Sequence, residues 1–212
     1  MTTPFDLSIT DQLLSTTRAV RRRLDTSKKV EHQTILDCIA LSQQAPTASN
    51  SQTWCWVVVT DKEKREKIGE IYRSQAFAIK MSRERKSVDD AQTQRVYDAT
   101  EYLLEHIAEV PALVFPCVHG RIKPNADPCV LASIYGSIFP AIWSFQLALR
   151  SRGLGSVLTT LHLLREQDMA KLLGIPDEVM QVGMLPVAYT LGTEFKPARR
   201  PSPEAITHFN GW

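Results

Sequence analysis

The chemically capable side chains of this chain are cationic and polar, with no evident nucleophile among them. Arg18-Ala19-Val20-Arg21-Arg22-Arg23 places four arginines in six positions. On a helical turn Arg18, Arg21 and Arg22 would share a face, and a guanidinium is a planar fork matched to phosphate oxygens. A solvated basic patch answers the same description. Ala45-Pro46-Thr47-Ala48-Ser49-Asn50-Ser51-Gln52-Thr53 crowds hydroxyl and amide groups into one loop. Pro46 lacks a backbone donor and pushes its predecessor out of helical space. The loop runs into Trp54 to Val59, whose aromatic and β-branched residues predict a buried strand. A polar loop feeding a buried strand suits a polar, planar ligand, and it also suits an ordinary helix-to-strand connection. Arg199 and Arg200 form a second basic pair.

Other chemistries are set aside on spacing. His32, His106, His119, His162 and His208 fall in no HExxH or paired-ligand pattern, so no metal site is expected. Neither a GxSxG elbow nor a Walker loop is present. Cys38, Cys55, Cys117 and Cys129 form no CxxC and read as reduced, buried thiols of a cytoplasmic protein. Gly153-Leu154-Gly155 lacks a third glycine and follows a predicted helix, which excludes a dinucleotide fingerprint. A net charge of +2 does not call for a polyanion, and the arginine run lacks the interleaved aromatics of a nucleic-acid face. No side chain is therefore assigned a catalytic role. The inventory suits a protein that binds and orients a cofactor carrying the chemistry.

The 212 residues are enough for one domain, 1–212, with a sizeable core. Ser8 or Thr10 is expected to cap a first helix with Ile9, Leu13 and Leu14 on its apolar side. A second helix is predicted over 31–44, burying Ile35, Leu36, Ile39 and Ala40. Asp61 should cap a third over 62–74, with Glu63 and Lys67 as a favourable pair. Residues 75–95 are polar and weakly periodic and read as a mobile excursion, a lid or substrate-facing cap; Asp89 and Asp90 there look solvated. A helix over 97–108 precedes a strand at 112–118, where Pro116 marks an edge or an end of pairing. Cys129 to Leu149 carries no charge and just reaches the length of a membrane span. Its serines, Gln146 and helical apolar spacing favour a helix in a core or subunit interface, bent at Pro140. A short strand and turn over 154–161, a helix over 165–173 stopped by Gly174, and a strand over 182–189 follow. From Thr193 the chain becomes an extended arm, 193–212, ending in Phe209 and Trp212, aromatics expected to dock on the same or another subunit. Strands separated by helices predict an α+β or α/β sandwich.

On these residues the chain resembles the FMN-dependent nitroreductases, in detail an actinobacterial-type subgroup. The resemblance rests on Arg18 through Leu24-Asp25, on Ala45-Pro46-Thr47-Ala48-Ser49-Asn50-Ser51-Gln52-Thr53-Trp54, and on the spacing between these motifs. The long apolar helix, the Gly-Leu-Gly turn, Leu173-Gly174-Ile175-Pro176 and the arginine-bearing arm extend it over nearly the whole chain. It implies an α+β fold with a central mixed sheet flanked by helices, and an intertwined homodimer with FMN at its interface. By the same resemblance Arg18 contacts the FMN phosphate, the backbone at Ala19 and Val20 lines the ribityl chain, and Arg22 approaches the pyrimidine ring. Pro46, Thr47, Ala48 and Asn50 come from the other subunit. Thr159, Thr160 and Leu161 face the N5 edge, and Arg199 or Arg200 closes on the phosphate. The implied activity is ping-pong hydride transfer from NADPH, or NADH, through FMN to a nitroaromatic, quinone or other conjugated acceptor. A flavin-storage protein and another flavin reaction, such as desaturation or reductive dehalogenation, remain alternatives on the same scaffold. Neither membrane nor nucleic acid is an expected partner. The departures are Val20 for a usual Ser, Thr47 and Ala48 for serines, and Ala188 for a common Gly.

Overall fold

A computed structural model describes residues 4–85 and 90–212. One sheet contains β1 (Trp54–Val59), β2 (Ala112–His119), β3 (Leu154–Ser156), β4 (Val179–Gln181) and β5 (Leu185–Tyr189). Around it lie α1 (Leu7–Thr16), α2 (His32–Ser42), α3 (Lys62–Arg73), α4 (Ala76–Arg85), α5 (Ala91–His106), α6 (Pro128–Arg150) and α7 (Glu166–Leu173). The class is α+β.

β2 explains the layering. Leu113, Phe115 and Cys117 point to one apolar cluster, and Ala112, Val114 and Val118 to the other, so both faces of the strand must be covered. α3, α5 and α7 supply Ile68, Tyr72, Leu103, Leu104 and Met169 to the first cluster. α2 and α6 supply Ile35, Cys38, Ile138, Ile142, Phe145 and Leu149 to the second. The strand order is β1-β2-β5-β3, with β4 also on β2. All four ladders are antiparallel, and parallel pairing among the described residues is limited to isolated bridges at Ala19–Ser156 and Gly120–Val179.

Pro116 marks no edge. β2 is the sheet's centre, pairing with β1 on one side and with β5 and β4 on the other. The Pro116 carbonyl accepts from the Val182 amide, so its missing N–H faces the gap between β4 and β5, where no ladder bond is lost. β1, by contrast, is an edge strand and is only half buried along most of its length.

Other boundaries shift for local reasons. Asp6, not Ser8 or Thr10, caps α1, accepting from the Ser8 and Ile9 amides. On α2 the buried positions are Ile35, Cys38 and Ser42, while Leu36 and Ala40 are exposed. Asp61 caps α3 as expected, but its ion pair joins Lys62 to Glu66. The polar excursion is a helical hairpin: Asp90 caps α5, and Arg83 on α4 reaches Asp98 at 3.0 Å and Glu101 at 2.8 Å on α5. Residues 86–89, including Asp89, lie outside the described residues.

α6 is long and apolar enough to cross a membrane by length and composition, with a mean hydropathy of 1.4. Its buried face, Ile138, Ala141, Ile142, Phe145, Ala148 and Leu149, belongs to the core over the sheet. A neighbouring stripe, Tyr135, Phe139 and Trp143 at four-residue spacing, is exposed. Residues 193–212 form an extended arm with a short 3-10 turn at Pro203–Ile206. Phe209 and Trp212 are exposed, and His208 stacks on Trp212 at 4.6 Å.

Candidate functional site

The arginine run is not helical. α1 ends at Thr16, and Val20 and Leu24 bury their side chains in the core beside β3 and β5. The Val20 amide donates to Ser156 O at 2.9 Å, Asp25 N to Tyr189 O at 2.8 Å, and Leu191 N to Arg23 O at 2.9 Å. The segment is thus pinned at Val20 and Leu24, and the turn between them projects the arginines. Gly155 makes the approach possible: a Cβ there would lie 2.7 Å from Thr190 Cγ2 and 3.0 Å from Val20 Cβ. Because the Val20 N–H is committed to Ser156, it is not free for a ligand.

Two adjoining cavities share Arg18, Ala19, Arg21 and Ala99. The first, about 470 Å³, adds Arg22, Arg23 and the start of the arm, Glu194 to Lys196. The second, about 620 Å³, adds Arg95 from α5, Trp143 from α6, and both Arg199 and Arg200. Seven arginines therefore line the pair, and none is in an ion pair among the described residues, whereas Arg83, Arg121 and Arg165 elsewhere all are. With Glu194 the one acidic side chain in the two linings, the crowded cations repel one another, and a multivalent anion relieves the repulsion.

The arginines divide by surroundings. Arg23 is structural: it donates to the Leu191 and Glu194 carbonyls at 2.8 Å and lies 4.2 Å over the Phe195 ring, which Arg150 approaches at 4.8 Å. Arg22 is exposed and turned toward α5, donating to Asp98 O at 3.2 Å and lying 5.3 Å over Tyr102. Arg21 points inward. Burial pulls its guanidinium below the usual arginine range, and the neighbouring Tyr72 phenol acts in the opposite sense. Arg18 makes no hydrogen bond or ion pair among the described residues.

Tyr72, buried at the end of α3, is 2.8 Å from the Thr159 hydroxyl. Burial raises the phenol's pKa, while the Thr159 bond and Arg21 lower it. Thr159 exchanges backbone hydrogen bonds with Met184 at 2.9 and 2.8 Å, which fixes the turn leading through Thr160 into Leu161–Arg165. The Tyr72 contact thus connects the 159–161 turn to the arginine segment.

The 46–50 loop stands apart. Ser49, Asn50 and Gln52 hold positive φ of 52°, 52° and 46° without a glycine. The Ala48 amide donates to Ser137 Oγ on α6, and Gln52 donates to Thr47 Oγ1 and Asn50 Oδ1. Pro46, Ala48 and Asn50 are exposed, and no residue of this loop lines either arginine cavity. Within one chain the structure brings Arg18, Ala19, Val20, Arg22, Arg199 and Arg200 together, links Thr159 to them through Tyr72, and leaves the loop elsewhere.

Sequence reasoning passed over Arg21 as a site residue, and also Tyr72, Arg95 and Trp143. Trp143 carried a signal, a large aromatic four residues beyond Phe139 on an apolar helix. Tyr72 and Arg95 had none, because only the tertiary fold brings α3 and α5 to the arginine segment.

The nitroreductase family model matches residues 14–189. Rat iodotyrosine deiodinase 1 is 31% identical over 179 residues, 84% of this chain and 61% of the deiodinase. The chain thus spans about three fifths of the length of the curated relatives it matches. An oxidised iodotyrosine deiodinase bound to FMN and 3-iodo-L-tyrosine has a similar structure, with TM-score 0.70 and 21% identity, covering 95% of this chain and 99% of that one. An FMN and NADPH-dependent nitroreductase, NfnB, from Sphigopyxis sp. strain HMH reaches TM-score 0.68 at 15% identity, covering 95% and 99%. The matched span contains the arginine segment, the polar loop, the whole sheet and the Thr159 turn, and the chain belongs to the nitroreductase family.

Proposed function

We propose that the chain is an FMN-dependent oxidoreductase that takes hydride from NADPH, or NADH, and passes it to a nitroaromatic, quinone or related conjugated acceptor. The observation that carries this reading is the cluster of unpaired arginines around two adjoining cavities in a nitroreductase fold. Those residues fit a phosphorylated, planar cofactor. Arg18, with Arg199 and Arg200, would hold the phosphate; Ala19 and Val20 would line the ribityl chain; Thr159, Thr160 and Leu161 would face the ring edge. The resemblance implies Arg22 at the pyrimidine, but Arg21, half buried and inward, is better placed to offset negative charge on a reduced ring. FMN, when bound, supplies the hydride chemistry at its ring, and the chain's residues bind, orient and screen it from water.

A homodimer completes the site in this reading, with Pro46, Thr47, Ala48 and Asn50 of the partner subunit closing over the cofactor. The loop's separation from the cavities of its own chain supports this, as does the exposed aromatic row Tyr135–Phe139–Trp143. The protein would act in the cytoplasm, with its cysteines reduced.

The test is a visible spectrum of the purified protein, then NADPH without oxygen. A flavin spectrum that bleaches supports the oxidoreductase. A flavin spectrum that does not bleach favours flavin storage or a different reductant, and failure to bind added FMN overturns the reading. A second reaction, reductive dehalogenation, is favoured by the identity to iodotyrosine deiodinase. Iodide release from 3-iodo-L-tyrosine with dithionite-reduced protein would support it.

A further inference from the structure

The acceptor's chemical class is written on α4. Two stripes run along this helix. Ile79 and Arg83, four residues apart, face the core and α5; Ile79 is buried and Arg83 is held by Asp98 and Glu101. The Tyr97 hydroxyl also donates to Ser82 O at 3.1 Å and pairs with Ser82 Oγ at 3.2 Å. These contacts fix how α4 is rolled. The other stripe, Phe77, Met81 and Arg85, again at four-residue spacing, is thereby turned toward Leu164 in the 161–165 turn. Phe77 is 56%, Met81 46% and Leu164 56% exposed, and together with Ala78, Ser82 and Arg85 they line a cavity of about 320 Å³. Arg85 is the one charged residue of that lining and has no ion pair among the described residues.

The cavity shares no lining residue with the two arginine cavities, and its link to the candidate cofactor site runs through the chain. Its two walls grow from the two elements that the Tyr72–Thr159 hydrogen bond joins. α4 begins four residues after Tyr72, and the Leu161–Arg165 turn begins two residues after Thr159. The volume lies at the small end of ligand pockets and matches a substituted aromatic ring, not a dinucleotide.

We propose that the cavity between α4 and the Leu161–Arg165 turn is the acceptor site, and that it takes a single-ring aromatic or conjugated molecule bearing an anionic group, with Arg85 as the specificity-determining cation. This rests on the flavin reading above. Phe77, Met81 and Leu164 supply the apolar walls for the ring, and Arg85 sits at the end of the stripe, where a carboxylate or phenolate accepts its N–H donors.

The test compares 4-nitrobenzoate with nitrobenzene, two probes of one ring that differ by a carboxylate. In the FMN-loaded protein, Arg85→Gln should raise KM for 4-nitrobenzoate about tenfold relative to the change for nitrobenzene, the worth of one charged hydrogen bond at a half-exposed site. Arg85→Lys should recover part of the loss, and Phe77→Ala should weaken both probes. Calorimetric titration of 4-nitrobenzoate into the oxidised protein needs no turnover. It therefore separates this proposal from the flavin reading, which the spectrum decides. Equal effects of Arg85→Gln on the two probes, or wild-type protein that binds no 4-nitrobenzoate, would overturn the assignment.

Discussion

The Tyr72 phenol and the Thr159 hydroxyl lie 2.8 Å apart, and this contact is where the two halves of the candidate site meet. Tyr72 ends α3 and packs in the core on one face of the sheet; Thr159 begins the turn expected to face the cofactor ring. Either oxygen can donate, so the pair can present to a ligand a hydroxyl that gives or one that accepts a proton. Arg21 stands close enough to act on the phenol electrostatically.

Tyr72→Phe keeps the ring in the core and removes only this bond. It should lower unfolding free energy by about 1 kcal/mol, because Thr159 is partly exposed and water recovers some of the loss. A urea titration measures it. A midpoint equal to wild type would mean that water fully replaces the phenol as the partner of the Thr159 hydroxyl in the variant.

Arg18 and Arg22 should separate cleanly in cofactor binding. Arg18→Ala removes an unengaged guanidinium from both cavities and should weaken FMN binding by about 1.5–3 kcal/mol, roughly 10- to 100-fold. Arg22→Ala removes a group already engaged with Asp98 O and Tyr102, and should cost less than about 1 kcal/mol. Quenching of FMN fluorescence reads both. Equal losses would show that Arg22 swings inward when the ligand arrives. Affinity should also fall with added salt, since the attraction is between charges.

His162 should make the fold acid-sensitive. Both ring nitrogens are buried without partners among the described residues, the ring meets Phe115 edge-on at 5.5 Å, and burial pulls its pKa down to about 4. A histidine held below its unfolded value of 6.5 binds fewer protons folded than unfolded. Stability is therefore full above about pH 6.5 and falls as the pH drops toward 4, by roughly 3 kcal/mol in all. Denaturant titrations at pH 7 and pH 5 test the sign. His162→Leu should flatten the slope and cost little at pH 7, because it also removes an unsatisfied buried donor.

Elements with strong local signals were legible in the sequence, and those defined by tertiary contacts were not. Asp61 and Gly174 bound α3 and α7 where capping chemistry places them, Gly174 at φ 67°. The arginine segment is legible from composition, but its helical-turn expectation fails because its shape comes from burying Val20 and Leu24 beside β3 and β5. The choice of Arg22 for the pyrimidine ring comes from the family resemblance, and a helical turn would not separate it from Arg21, since both would share one face. α4 was missed because its apolar positions divide between core and cavity and yield no single face. β4 is three residues long and pairs only because β2 offers a free edge at Cys117–His119. The polar loop was recognised by composition, yet its three left-handed residues left no trace, since such strain is imposed by surrounding contacts.

That strain yields the last prediction. Ser49 has no side-chain reason to adopt φ 52°, a conformation that costs a non-glycine residue on the order of 1 kcal/mol or more. The Ala48–Ser137 bond and the Gln52–Thr47 and Gln52–Asn50 bonds hold it there. Ser49→Gly removes the steric cost, but gains unfolded-state entropy that offsets part of the benefit. The expected net effect is a stabilisation of about 0.5 kcal/mol in denaturant. If the loop is held rigid to close on a cofactor in a dimer, the same variant should bind FMN more weakly even though it folds better. Stability and FMN affinity moving in opposite directions would identify the strain as preorganisation; their rising together would mark it as a packing defect with no role in binding.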